Sequence, residues 1–196
     1  MQQKHREGVP IVQTNFCRQE LEYTGQQLRS HWILEAFGLQ GDAIVGFRGP
    51  CSVALSEMVD RADIAAGEAI EAAEMLHFIA EHFERDLHRA VLRQRLFICM
   101  IGEALQRRPE VPTVTREGDD LYVGGRKLSV SIATVSPVST LVHVGLNVDP
   151  TGAPVAACGL AEWNVDVDHL ARELLSAYVE EMSDIHLARC KVRGVQ

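Results

Sequence analysis

Polar side chains recur at alternate positions through residues 119–148, DDLYVGGRKLSVSIATVSPVSTLVHVGLNV. Asp120, Tyr122, Lys127, Ser129, Ser131, His143 and Asn147 fall in one set. Leu121, Leu128, Val130, Ile132, Val142, Val144, Leu146 and Val148 fall in the other. An ammonium, a carboxylate, an imidazole, an amide and hydroxyls gathered on one face can orient a small molecule and stabilise charge developing on it. Ser129, Ser131 and Gly145 are small and leave room for such a ligand. The same alternation also describes the solvated outer face of an antiparallel sheet, and the residues leave both readings open.

The register that places these groups rests on Gly124-Gly125, a two-residue turn in which both positions tolerate positive φ. It predicts that Val123 faces Arg126, Tyr122 faces Lys127, Leu121 faces Leu128 and Asp120 faces Ser129. Paired residues share a face, so Leu121, Leu128, Val130 and Ile132 point to the core. A third run, 141–148, follows the longer loop TVSPVS.

Other elements must support this sheet. A short apolar piece stands at 9–12. Thr24-x-x-Gln27 reads as a capping box opening a helix to Phe37, with Gly38 as its stop. GDAIVGFRGPCSVAL predicts two strands joined by a tight loop at RGP, and 61–74 is rich in Ala and Glu and predicts a helix. A helix unbroken from 61 past 105 would be unusually long, so MLHFIAEHF at 75–83 reads as a strand. Residues 84–107 form a helix with Leu87, Val91, Ile98, Ile101 and Leu105 on its apolar side. A last helix over 167–187 carries Leu170, Leu174, Tyr178 and Met182 on one stripe.

The chain has 196 residues, 46% of them apolar, which suits a single domain; residues 1–8 read as disordered. Its net charge of −8 disfavours nucleic acid and anionic membranes as partners. Five widely spaced cysteines with no Cys-x-x-Cys pair suggest reduced thiols. The polar N-terminus and short apolar runs suggest a cytoplasmic protein with no membrane span. His77 and Glu81 have a ligand-pair spacing on a helix, yet no third ligand accompanies them, and no metal site is expected. Walker, Rossmann and Gly-x-Ser-x-Gly patterns are absent, and the sequence points to no particular cofactor.

The segments LRSHWILEAFGLQGDAIVGFRGPC, MLHFIAEHF, LRQRL, GDDLYV, KLSVSIATVSPVSTLVHVGLNV and KVR resemble an uncharacterised family. That family is placed by fold with the catalytic domains of biotin and lipoate protein ligases and lipoyl transferases. The resemblance to the family spans about Leu28 to Val195, and that to the enzymes centres on 119–160. In the ligases an Asn-Asp pair precedes a Gly-Arg-Lys segment whose lysine contacts an acyl-adenylate. Asp119-Asp120 and Gly125-Arg126-Lys127 stand in those places. The phosphate-contacting strand would be FRGPCSV, which implies substrate contacts at Arg48 and Gly49. The lipoyl transferase pattern resembles Lys127, His143-x-Gly145-x-Asn147 and Cys158-Gly159-Leu160, implying Cys158 as a thiolate nucleophile. Three departures stand out: Val130 replaces a glycine, FRGPCSV has only Gly49, and Ala157 replaces a proline.

The expected fold is α+β, a mixed, largely antiparallel sheet with helices packed on one side. The first functional expectation is acyl or adenylyl transfer on a small carboxylate or an acyl-carrier thioester. Lys127 would stabilise charge, Cys158 would be the nucleophile, and Asp120, Ser129, Ser131, His143 and Asn147 would orient substrate. The alternative is a non-catalytic small-molecule binding protein on the same fold. An exposed strand edge would also suit a homodimer.

Overall fold

Two largely buried stretches build the middle of the molecule: β2 (Ala43–Val53) and β3 (Ile70–His82). They belong to a computed structural model that describes residues 11–67 and 70–195. β1 (Gln13–Phe16) pairs parallel to β2. β3, β8 (Thr140–Asp149) and β7 (Ser129–Val135) continue the sheet antiparallel, in the order β1-β2-β3-β8-β7. β4 (Val114–Glu117), β5 (Asp120–Val123) and β6 (Arg126–Lys127) form a small antiparallel sheet beside it. The expected disorder of 1–8 and part of the apolar piece at 9–12 lie outside the described residues.

The two long helices, α3 (Leu87–Gln106) and α4 (Val167–Ala188), cover one face of the main sheet. Asp86 and Asp166 cap them, accepting the backbone N–H groups of Arg89 and His169. Leu170, Leu174, Tyr178 and Met182 are buried as expected. On α3 the expected Ile98, Ile101 and Leu105 are buried together with Ala90, Gln94 and Phe97, whereas Leu87 is exposed and Val91 only partly buried. Phe97 meets Phe78 of β3 and Tyr178 of α4 edge-on. The opposite face is covered by residues 21–39, including the short α1 (Trp32–Phe37), over Val45, Phe47, Met75 and Ile79. Burial of both faces of β3 explains the weak alternation of MLHFIAEHF, which is a strand as expected.

Four local expectations are corrected. GDAIVGFRGPCSVAL is one strand, not two, with a register shift between Gly49 and Cys51 that accommodates Pro50 and its missing N–H. The helix expected over 61–74 stops early, as α2 (Arg61–Ala66), because 70–72 pair with 51–53 and outweigh the helical propensity of Ala and Glu. The Thr24 N–H does donate to Gln27 Oε1 at 3.0 Å, but Gly25 at φ +88° and His31 at φ 66° break the chain into turns. The helix therefore begins only at Trp32.

The fourth correction matters most for the site. Tyr122 pairs with Lys127 and Val123 with Arg126, as the turn predicts. At Leu128 the chain leaves the small sheet and enters the main one, where Ser129 pairs with Leu146. The predicted pairing of Asp120 with Ser129 does not form, and the faces exchange beyond Leu128. Ser129 and Ser131 now share the helix side with Leu146 and Val144, and Val130 and Ile132 share the other side with Gly145 and His143.

Candidate functional site

A cavity of about 240 Å³ opens on the face of the sheet away from α3 and α4. Its walls combine apolar groups, among them Leu28, Met58, Met75 and Val130, with a few polar ones. Lys127 stands at one end with Nζ 2.8 Å from Asp120 Oδ2. The lysine backbone is clamped at three points. Its N–H donates to Ala156 O at 2.9 Å, and its carbonyl accepts from Cys158 N–H at 3.0 Å and from Asn147 Nδ2 at 3.2 Å. Its position is therefore set by three separate chain segments, around Asp120, Asn147 and 156–158.

His143 also lines the cavity, and His77 stacks behind it. His77 Nε2 lies 3.2 Å from the Gly49 carbonyl, and His77 Nδ1 lies 3.1 Å from His143 Nε2. A carbonyl oxygen only accepts, so the His77 proton sits on Nε2. His77 Nδ1 then accepts from His143 Nε2–H. Burial pushes His77 down to about 4, and burial together with His77 holds His143 well below the ordinary histidine range. Both rings are neutral at pH 7. The Tyr23 ring stacks on His143 with centroids 3.8 Å apart and planes 8° apart.

The predicted residues divide by location. Asp120, Lys127, Ser131, His143 and Asn147 all line the cavity. Ser131 borders it from the edge strand β7, with its hydroxyl turned to the helix side, accepting from Gln94 Nε2 at 2.7 Å and donating to Asp119 O at 2.9 Å. Ser129 is wholly buried on the helix side and its hydroxyl accepts the Leu121 N–H, so it is not at the cavity. Arg48 also lies on the helix side, paired with Glu74 at 2.5 Å and Asp168 at 3.3 Å. Gly49 is covered by its own chain: an added Cβ would lie 2.1 Å from the Leu21 carbonyl oxygen. The glycine serves the approach of residues 21–23 to β2.

Cys158 is wholly buried in the helix-side core, with Sγ 3.5 Å from Arg126 O. Burial pushes its thiol up, away from the thiolate form a nucleophile needs. Only its neighbour Ala157 reaches the cavity. A thiol reagent applied to the native protein is therefore expected to label exposed Cys190 rapidly and leave Cys158 and Cys51 unmodified until unfolding. Peptide mass mapping reads this directly, and labelling of Cys158 at the rate of Cys190 would contradict it.

Tyr23 lines the cavity and His77 lies behind His143, and their sequence patterns singled out neither for binding. His77 drew notice only for its spacing from Glu81. Glu81 instead accepts the His31 N–H and the Ser139 hydroxyl, and among the described residues no three metal-ligating side chains come together.

A mixed sheet backed by two helices, with a ligand-sized cavity on its other face, is the fold of biotin and lipoate protein ligase catalytic domains. The chain aligns at TM-score 0.54 with biotin acetyl coenzyme A carboxylase synthetase from Helicobacter pylori, solved with bound biotinylated ATP. That likeness covers 87% of this chain and 74% of that one at 13% identity. Protein Ta0514 of T. acidophilum, solved with bound lipoic acid, aligns at TM-score 0.54 over 87% and 86% of the two chains at 10% identity. At such identities the likeness is one of fold. The chain belongs to the DUF366 family, a domain of unknown function, which matches residues 12–193. It is 35% identical over 177 residues to the uncharacterized protein MJ0805 of Methanocaldococcus jannaschii, covering 87% of this chain and 79% of that protein. It is 40% identical to a solved protein of unknown function from Pyrococcus horikoshi, with TM-score 0.90 over 94% of this chain and 100% of that one. Among the described residues no helix is long and apolar enough to cross a membrane.

Proposed function

We propose that this protein binds the acyl group of a small carboxylate in the cavity and transfers it from a thioester to an acceptor. Lys127 would polarise the acyl carbonyl. The observation that carries this reading is the clamped Lys127, whose ammonium is oriented by Asp120 at 2.8 Å beside an apolar chamber. A fixed cation at the developing oxyanion stabilises charge without having to reorganise during the reaction. The acceptor would attack the carbonyl directly, since Cys158 is buried away from the cavity, and the C–S bond would break to release the carrier thiol with the acceptor's proton. Delivery as a thioester is favoured over ATP-driven ligation by the charge of the walls. Glu57, Asp60, Glu71, Asp119 and Asp120 line the cavity, and Lys127 is its one lining cation among the described residues. Those walls repel a triphosphate.

The closed strand at Gly49 favours a second reading, binding without catalysis. Intact-mass analysis after incubation with an octanoyl-carrier thioester and an apo-carrier acceptor separates the two. Lys127→Met is expected to slow transfer by about a hundredfold, the scale of losing one oxyanion stabiliser, while Cys158→Ser leaves the rate near wild type. Binding of octanoate with no transfer would select the non-catalytic reading. No binding of any carboxylate would reject both.

A further inference from the structure

We infer that the cavity receives, at the end opposite Lys127, a neutral N–H donor of the ligand, and that His143 Nδ1 is the acceptor that selects it. The inference rests on the reading that the cavity binds an acyl group whose carbonyl end lies at Lys127. It follows from the hydrogen-bond chain through the sheet. Gly49 O accepts from His77 Nε2, and His77 Nδ1 accepts from His143 Nε2, so the single proton of the neutral His143 ring is committed to Nε2. Nδ1 is left as a pure acceptor. No protein group among the described residues pairs with it, although the residue is only 3% exposed and borders the cavity. An acceptor kept this way in a mostly buried position favours a ligand that donates and penalises one that cannot.

The surroundings argue for a neutral donor. Tyr23 stacks flat on the imidazole, and Met75 and Val130 crowd the neighbouring Gly145, where an added Cβ would meet Met75 Cε at 2.7 Å. An ammonium would lose its hydration against these apolar groups, whereas an amide N–H loses little. His143 stands four residue steps along β8 from Asn147, which bonds the Lys127 carbonyl. At about 3.3 Å per residue the two ends of the site are roughly 13 Å apart along the strand. That distance, shortened by the reach of the lysine side chain, fits a short alkyl chain carrying a carboxyl group at one end and an amide at the other.

Three probes of matched length test this: 6-acetamidohexanoate, 6-acetoxyhexanoate and 6-aminohexanoate, titrated calorimetrically into the wild-type protein. The amide is expected to bind about tenfold tighter than the ester, which has the same shape and no donor. In His143→Phe, which keeps a ring against Tyr23, the two should bind alike. Nitrogen-15 spectra of histidine-labelled wild-type protein supply a readout that needs no ligand and no variant: His143 should carry its proton on Nε2 at pH 7. A proton on Nδ1, equal affinity for amide and ester, or tighter binding of the ammonium probe would each overturn the inference. Equal affinities that still depend on Lys127 would overturn it and leave the proposed function standing. Amide preference that survives Lys127→Met unchanged would do the reverse. Failure of all three probes to bind at millimolar concentration would reject both.

Discussion

Acidification from pH 6.5 to about 4 is expected to remove roughly 3 kcal/mol of stability through His77 alone, at 1.36 kcal/mol per pH unit of displacement. An unfolded histidine takes up its proton near 6.5, while folded His77, buried under Phe47 and bonded to Gly49 O, resists until about 4. Between those values the unfolded chain binds more protons than the folded one, so stability falls as pH falls. Above 6.5 both states are neutral at this residue and its contribution is constant. His143 acts in the same direction, because the same burial and its His77 neighbour disfavour its charged form. Carboxylates act lower. Burial works to raise Asp42, but hydrogen bonds from His82 and the Phe83 N–H outweigh it and hold the group below its usual range. Its stabilisation is lost only as pH falls through that lower range. Urea midpoints at pH 7.5, 6.0 and 5.0 check the histidine part, and His77→Gln should flatten the profile between 6.5 and 5. A flat wild-type profile over that interval would mean the pair is already charged at neutral pH, and the proton assignment at the cavity would fall with it.

Gly49→Ala is expected to cost about 3 kcal/mol or more, at the upper end for a single added methyl group, because the obstacle is backbone. The new Cβ would stand 2.1 Å from Leu21 O and 2.7 Å from the Leu21 carbonyl carbon. No side-chain rotamer can relieve that contact, so residues 21–23 must lift from β2. Lifting them breaks the bonds from Leu21 N–H to Arg48 O and from Tyr23 N–H to Pro50 O, each 2.9 Å long. It also removes the Tyr23 ring from His143. The variant should therefore show a lowered urea midpoint and weakened ligand binding together. Gly124→Asn is the control: nothing lies within 4 Å of its added Cβ, and asparagine tolerates the φ of +57° there. Wild-type stability in Gly49→Ala would show that the 21–23 segment yields without cost.

Much of the site was legible because local chemistry sets it. Gly124-Gly125 defines a turn that sets Tyr122 against Lys127 whatever the rest of the chain does. Alternation along 141–148 puts His143 and Asn147 on one side of a single strand. Both rules reach only as far as a continuous ladder. Leu128 is where the ladder changes sheets, and from there the pattern that seemed to present Ser129 to a ligand buries it against Leu121. A strand carries no mark of which sheet it will join.

The sequence by itself determined the α+β class, the two long helices, the strand at 75–83 and the grouping of Asp120, Lys127, His143 and Asn147. The helices follow from periodicity, the pairing of Tyr122 with Lys127 from turn chemistry, and the strand at 75–83 from the length an unbroken helix would otherwise have, while the fold class came with the family resemblance. Only the tertiary structure decided that Arg48 is spent on Glu74 and Asp168, that Cys158 is core, and that Gly49 lies under Leu21. It alone joined Tyr23, His77 and His143, residues 54 and 66 positions apart, into one stack. Such contacts arise from the packing of distant segments, and their energies come from burial and hydrogen bonds that no local window of sequence contains.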